Sequence, residues 1–185
     1  MTRTISTVAA SIILLAGVAF LLSNDHTQAG TTTLPAPAVD DSLATTSSQQ
    51  TIVLSGGCFW GIQAVFEHVK GVTSATAGYA GGTAQTADYE TVSSGDTGHA
   101  ESVKVVFDPS KITLGQILRV FFSVAHDPTE LDRQGPDYGK QYRSAIFYTT
   151  ENQKKIAEAY IQQLNHANIF SAQIVTQLNS NSGFY

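Results

Sequence analysis

The chain has 185 residues, enough for one domain and an appendage. A formal net charge of -5 and a charged fraction of 14% provide no basic footprint, which excludes nucleic acid as a partner. A single cysteine excludes an intramolecular disulfide, so the fold must rest on its core alone.

Arg3 precedes the uncharged run Val8–Leu22, the pattern of an export signal, with a weak small-x-small cleavage pattern at Thr27-Gln28-Ala29. Counted from Ile5, the run also approaches the length of a spanning helix, so an uncleaved anchor is the alternative. Residues 1–29 are therefore expected to export the protein, to a periplasmic location or to a membrane-anchored position facing away from the cytoplasm. The membrane is expected to be met through this segment alone. Residues 30–50 are mostly Ser, Thr, Ala, Asp and Pro and read as a flexible linker, with a span of roughly 30 Å. The folded domain is expected over residues 51–185.

Thr51-Ile52-Val53-Leu54 is a short β-prone run that stops at Gly56-Gly57. Phe59, Ile62, Phe66 and Val69 then recur at helical spacing up to Gly71. Val72–Ala77 reads as a strand, and the stretch to residue 98 as a long structured loop carrying Tyr79 and Tyr89. Glu101–Phe107 alternates as a strand and ends at Asp108-Pro109; Leu114–Val124 is an amphipathic helix. A polar loop from Asp127 to Tyr142 leads to a strand at Ser144–Tyr148, a helix at Glu151–Asn165 and a last strand at Ala172–Leu178. Alternating strands and helices, with one polar face on several strands, predict a two-layer α/β or α+β sandwich rather than a doubly wound sheet.

Three residues carry chemical interest. Cys58 sits where a strand turns through two glycines into a helix. Unpaired N–H groups at a helix start favour the thiolate, the reactive form of a cysteine. Phe59 fits the core stripe of that helix and Trp60 does not, since neighbours on a helix point about 100° apart. A tryptophan left beside the sulfur would wall a small apolar pocket. Glu101 shares a strand face with Val103, Val105 and Phe107, so its carboxyl either loses hydration and stays protonated, as a general acid does, or reaches past the core into water from the strand end. His99 and His126 lack metal-ligand spacing, so no metal site is expected. Two rival readings remain at this point: a cysteine hydrolase using His99 or His126 as base, and an anchored peptide-binding module without chemistry.

Gly57-Cys58-Phe59-Trp60-Gly61 resembles the signature of the methionine sulfoxide reductase A family. Tyr79-Ala80-Gly81-Gly82, Tyr89-Glu90-Thr91-Val92, Thr97-Gly98-His99-Ala100-Glu101, His126-Asp127-Pro128-Thr129 and Gly139-Lys140-Gln141-Tyr142-Arg143-Ser144 follow in that family's order and spacing. The resemblance covers nearly all of residues 51–185. It implies that Cys58 attacks the sulfoxide sulfur, that Glu101 supplies the proton to the leaving oxygen, and that Tyr89 and Tyr142 hydrogen-bond that oxygen. It further implies a methyl pocket shaped by Phe59 and Trp60, with Asp137 holding substrate or loop. A mixed sheet with a ferredoxin-like core, long active-site loops, S-epimer specificity, no bound cofactor and a monomer are the corresponding expectations. Substrates would be oxidised proteins or free methionine sulfoxide.

Two departures from the family pattern shape the remaining expectations. Many relatives carry further cysteines that resolve the sulfenic acid, and Ser93 stands where some have one. An external thiol, thioredoxin-like or other, is therefore expected to reduce Cys58. The chain stops at Gly183-Phe184-Tyr185, where relatives continue into an acidic, Tyr-His-Gln-containing tail, so that C-terminal tail is expected to be missing here.

Overall fold

The computed structural model describes residues 33–185. The export segment read over 1–29 lies outside the described residues. Among those described, no helix is long and apolar enough to cross a membrane.

Five strands form the main sheet: β1 (Gln50–Ser55), β2 (Val72–Ala80), β3 (Ala100–Phe107), β6 (Ala145–Tyr148) and β7 (Gln177–Ser180), in the order β2-β3-β1-β6-β7. β1 pairs antiparallel with both β3 and β6, β2 pairs antiparallel with β3, and β7 lies parallel to β6. Helix α1 (Phe59–Glu67) joins β1 to β2 across β3, and α3 (Leu114–Val120) lies in the connection from β3 to β6 across β1. Two such split β-α-β units make a ferredoxin-like core. Helix α4 (Glu151–His166) then returns the chain to add β7, which makes the sheet mixed.

One sheet face carries Ile52, Leu54, Val103, Val105, Phe107 and Ile146, and all three long helices bury their apolar stripes in the cluster formed there. Each large side chain so buried contributes about 1.5–3 kcal/mol. The other face is thinner, with Val53, Ala80, Ala100, Ala145 and Phe147, plus a buried hydroxyl pair of Ser55 and Ser102 at 2.7 Å. The end of the chain closes part of this face: Phe184 packs on it, and Tyr185 exchanges two backbone hydrogen bonds with Tyr79.

Besides the linker, five stretches differ from the expectations drawn from sequence. The strand read over Val72–Ala77 runs on to Ala80, so Tyr79 lies in β2 and not in the loop. The predicted helix 114–124 is an α-helix only to Val120 and continues as a π turn, Phe121–Ala125. The wider turn lets the neighbours Phe121 and Phe122 both enter the core. The long loop after β2 contains a short helix, α2 (Tyr89–Ser93), started by Asp88, whose carboxylate accepts from Thr91 N at 3.0 Å. The polar loop 127–142 contains a small hairpin, β4 (Arg133–Gln134) and β5 (Asp137–Tyr138). The last strand starts at Gln177, not Ala172.

The largest correction concerns the linker. Residues 33–49 are not a free tether but a strap laid against the domain. Leu34 is buried in the main cluster, and the Tyr160 hydroxyl donates to Pro35 O at 2.9 Å. Gln163 bonds both Ala36 O and Ala38 N, at 2.9 and 2.8 Å. Asp40 accepts from the Thr113 hydroxyl and from Gly115 N at the start of α3. Ser47 donates to Asp108 at 2.7 Å. Half of these ties use backbone carbonyls and a helix-end N–H, and the side chains that share the work, Leu34, Asp40 and Ser47, follow no period, so little of it is written in sequence pattern. The compact unit therefore begins at Thr33 rather than near residue 51.

Candidate active site

β1 ends in Gly56-Gly57, and both glycines are required by their neighbours. A Cβ on Gly56 would lie 2.7 Å from the His126 ring, and Gly57 has φ +90° with the Gln134 side chain where its Cβ would stand. Gly57 N donates to Tyr142 O at 3.1 Å, tying this turn to the loop before β6. Cys58 follows as the N-cap of α1, half-buried, and its side chain makes no capping bond.

The first-turn N–H of Phe59 is satisfied instead by Glu101, whose Oε2 accepts at 3.0 Å. A carboxyl two strands away in sequence thus sits at the start of the helix that opens with the cysteine. Glu101 is 4% exposed. Burial pushes its pKa up, the Phe59 N–H draws it partly back, and the nearby Asp137 adds to the rise. Oε2 is engaged by this N–H, which leaves Oε1 as the oxygen that can present a proton.

Around this pair stand aromatic walls. Phe59 is 6% exposed and Trp60 is 64% exposed, with ring centroids 5.5 Å apart. Tyr79, the cross-strand partner of Glu101, packs on Phe59 at 5.7 Å. Burial, then Glu101, Tyr89 and Asp88, push the Tyr79 hydroxyl up in pKa. The Tyr142 hydroxyl is pushed up first by burial and then by Glu101, Asp137, Tyr89 and Cys58. Cys58, Glu101, Tyr89 and Asp137 thus all lie close enough to act on the Tyr142 hydroxyl. The structure brings together all seven residues singled out in the sequence: these five, and the Phe59–Trp60 pair that borders them.

The histidines are occupied elsewhere. Gly82 N donates to His99 Nδ1 at 3.2 Å, so the ring proton is on Nε2 and goes to Thr83 O at 3.0 Å. His126 gives its Nδ1 proton to Phe121 O at 3.1 Å and accepts from the Ser144 hydroxyl at 2.7 Å. Burial lowers its pKa to about 4. Neither ring has a nitrogen left to serve as base, which removes the footing of the hydrolase reading.

Three neighbours were not singled out. Tyr79 could have been found from the pairing of β2 with β3, which sets it opposite Glu101. Gln134 and Gln141 had no sequence signal of their own.

A family model described as peptide methionine sulfoxide reductase matches residues 50–185. The chain is 56% identical over 136 residues to the peptide methionine sulfoxide reductase MsrA 2 of Mesorhizobium japonicum, covering 74% of this chain and 70% of that one. It is 49% identical over 154 residues to MsrA 2 of Synechocystis, covering 82% and 72%. The fold is similar to that of Mxr1 from Saccharomyces cerevisiae in reduced form, with TM-score 0.68, 30% identity and coverage of 78% and 86%.

Proposed function

Since the chain belongs to the peptide methionine sulfoxide reductase family, we propose that Cys58 and Glu101 carry the family's reaction here. The chain is a peptide-methionine (S)-S-oxide reductase and acts in the repair of oxidised methionine. The observation that carries the assignment of roles is the bond from Phe59 N to Glu101 Oε2, which sets the buried acid beside the cysteine.

The Cys58 thiolate attacks the sulfoxide sulfur while Glu101 donates its proton to the sulfoxide oxygen. Two electrons pass from the cysteine sulfur to the methionine sulfur and the oxygen passes the other way. Methionine and a Cys58 sulfenic acid result. Tyr89 and Tyr142 hydrogen-bond the oxygen as negative charge builds on it, the moment at which such donors count most. Phe59 and Trp60 receive the methyl group, and Asp137 keeps the Glu101 proton in place.

Cys58 is the only cysteine of these 185 residues, and its sulfenic acid is read as resolved from outside them. An external thiol condenses with it, releasing water and leaving a mixed disulfide. A second thiol then returns Cys58 and carries away the disulfide. Export or anchoring by residues 1–29 is part of the same reading, supported by the uncharged run after Arg3; cell fractionation that finds the protein only in the cytoplasm removes it.

The direct test is turnover of the S and R epimers of a blocked methionine sulfoxide with dithiothreitol, for wild type and Cys58→Ser. S-specific reduction lost in the variant is expected. After one turnover without thiol, mass spectrometry should find one added oxygen at Cys58; turnover that leaves neither this nor a mixed disulfide rejects the scheme.

A further inference from the structure

We infer that Gln141 and Arg143 form a clasp that holds Tyr89 and Tyr142 in one arrangement, so that the two hydroxyls meet the sulfoxide oxygen together, given the roles proposed above for those tyrosines. Tyr89 opens α2, a helix of five residues, too short to keep its shape unaided. Tyr89 as a residue is 54% exposed, so its own packing does little to fix it. The Asp88 cap closes within α2 itself, and Val92, 1% exposed, is the one residue of α2 that packing holds, on the turn after Tyr89.

The two residues flanking Tyr142 add polar ties to that single packed residue. Gln141 is 5% exposed, and its Nε2 donates to Ser93 O, the last residue of α2, at 3.3 Å. Arg143 on the other side sends Nη2 to Gly98 O at 2.9 Å and Nη1 to His99 O at 3.0 Å. The same guanidinium donates to Lys140 O at 2.8 Å, so it also braces the turn that carries Tyr142. Tyr142 is thus bracketed by two side chains that both reach the segment bearing Tyr89.

Gln141 pays a penalty for this place. Its Oε1 is buried without a partner, against Gly139 and Gly95, and a Cβ at Gly139 would overlap the amide. A methionine would fill the same space and strand no oxygen. What only the glutamine provides is the N–H that reaches α2.

Gln141→Met separates a positioning role from a packing role. The thermal midpoint is expected to hold or rise, and the rate of Cys58 alkylation to stay at the wild-type value. kcat with the S epimer is expected to fall about tenfold with KM nearly constant, since the tyrosines act on charge that develops in the transition state. Tyr89→Phe, costly in the wild-type background, should cost little more in the Gln141→Met background. Arg143→Lys keeps the charge but cannot span two carbonyls, and should give the same non-additive loss if Gln141→Met does not fold. A wild-type kcat in both clasp variants, or a Tyr89→Phe cost equal in all backgrounds, overturns the clasp. If Tyr89→Phe and Tyr142→Phe leave wild-type turnover unchanged, the proposed tyrosine roles fail and the clasp with them.

Discussion

The strap ahead of β1, residues 33–49, and the connection between β2 and β3, residues 81–98, draw on much the same residues: Ser, Thr, Ala and Asp. They are used in opposite ways. In the strap, Leu34 goes into the core and Asp40 meets a helix end, so the segment adds rigidity to a domain already folded around them. In the connection, Asp88 caps a five-residue helix whose leading Tyr89 stays 54% exposed. The first is held by long-range contacts all along it. The second is held at a few points, by the buried Val92, by His99 and through Gln141 and Arg143, and leaves its tyrosine exposed. Asp108, where Ser47 of the strap is bound, is at the far end of β3 from Glu101, roughly 20 Å away at the rise of an extended strand. Changes in the strap should therefore move stability and spare the kinetics, and changes around the site should do the reverse.

The sharpest break on the site side is Glu101→Gln. Losing a general acid should lower kcat on the order of 10²–10⁴-fold, with the fold kept. The acid works in its protonated form, so wild-type turnover should decline as pH rises through the raised pKa of Glu101, and the variant should lose that limb. Stability carries the same sign. A carboxyl whose folded pKa lies above its unfolded one contributes most below the unfolded value, and that contribution is lost as pH rises through the folded one. Urea midpoints measured across pH should then show the variant gaining on wild type toward alkaline pH. On the strap side, Leu34→Ala removes a core side chain and should cost roughly 2–5 kcal/mol in denaturant unfolding. kcat per folded molecule should not change; a large loss of kcat at full folding would dissolve the contrast.

How much of this could be read beforehand follows the same division. Alternation placed β3 and put Glu101 on its core face, and helical spacing from Phe59 located α1 and so Cys58 at its start. Those signals are strong because one residue face meets one continuous core. The strap gave no such signal: its Leu34, Asp40 and Ser47 follow no period, and its remaining ties are main-chain groups meeting Tyr160 and Gln163, residues more than 120 positions away. α2 and the β4–β5 hairpin are too short to show a period at all. The bonds from Gln141 and Arg143 to backbone carbonyls cannot be seen in any local pattern either, although the motif around Tyr142 marked where to look.

His126 belongs to neither region and lies beneath the turn that precedes Cys58, against Gly56. Its pKa falls to about 4 on folding, because burial disfavours the imidazolium. The unfolded chain takes up a proton near pH 6.5 that the folded one refuses. Stability should be fully present above that pH and drain away as pH falls toward 4, by up to about 3 kcal/mol. His126→Gln should flatten that slope in urea titrations between pH 7 and 4, whatever it does to absolute stability. A slope unchanged by the substitution would mean that another group carries the acid sensitivity.

The smallest effect tests the strap at one atom. Asp40 accepts from Gly115 N at 2.9 Å, at a helix start that already has its own capping box of Thr113 and Gln116. Asp40→Ala should cost about 1 kcal/mol, the range of a cap or a charge at a helix N-terminus. Gly115 makes the attribution specific. Within a helix, Gly→Ala ordinarily stabilises by about 1 kcal/mol. Here a Cβ on Gly115 would come within 2.5 Å of the Asp40 carboxyl carbon, so Gly115→Ala must push the strap's carboxylate away. In the wild-type background it should therefore be neutral or destabilising, and in the Asp40→Ala background it should recover its ordinary stabilising sign. Turnover should be the same in all four proteins. A Gly115→Ala change of equal sign and size in both backgrounds would mean that the strap does not sit on this helix end in solution, and the contrast between the two segments would lose one of its terms.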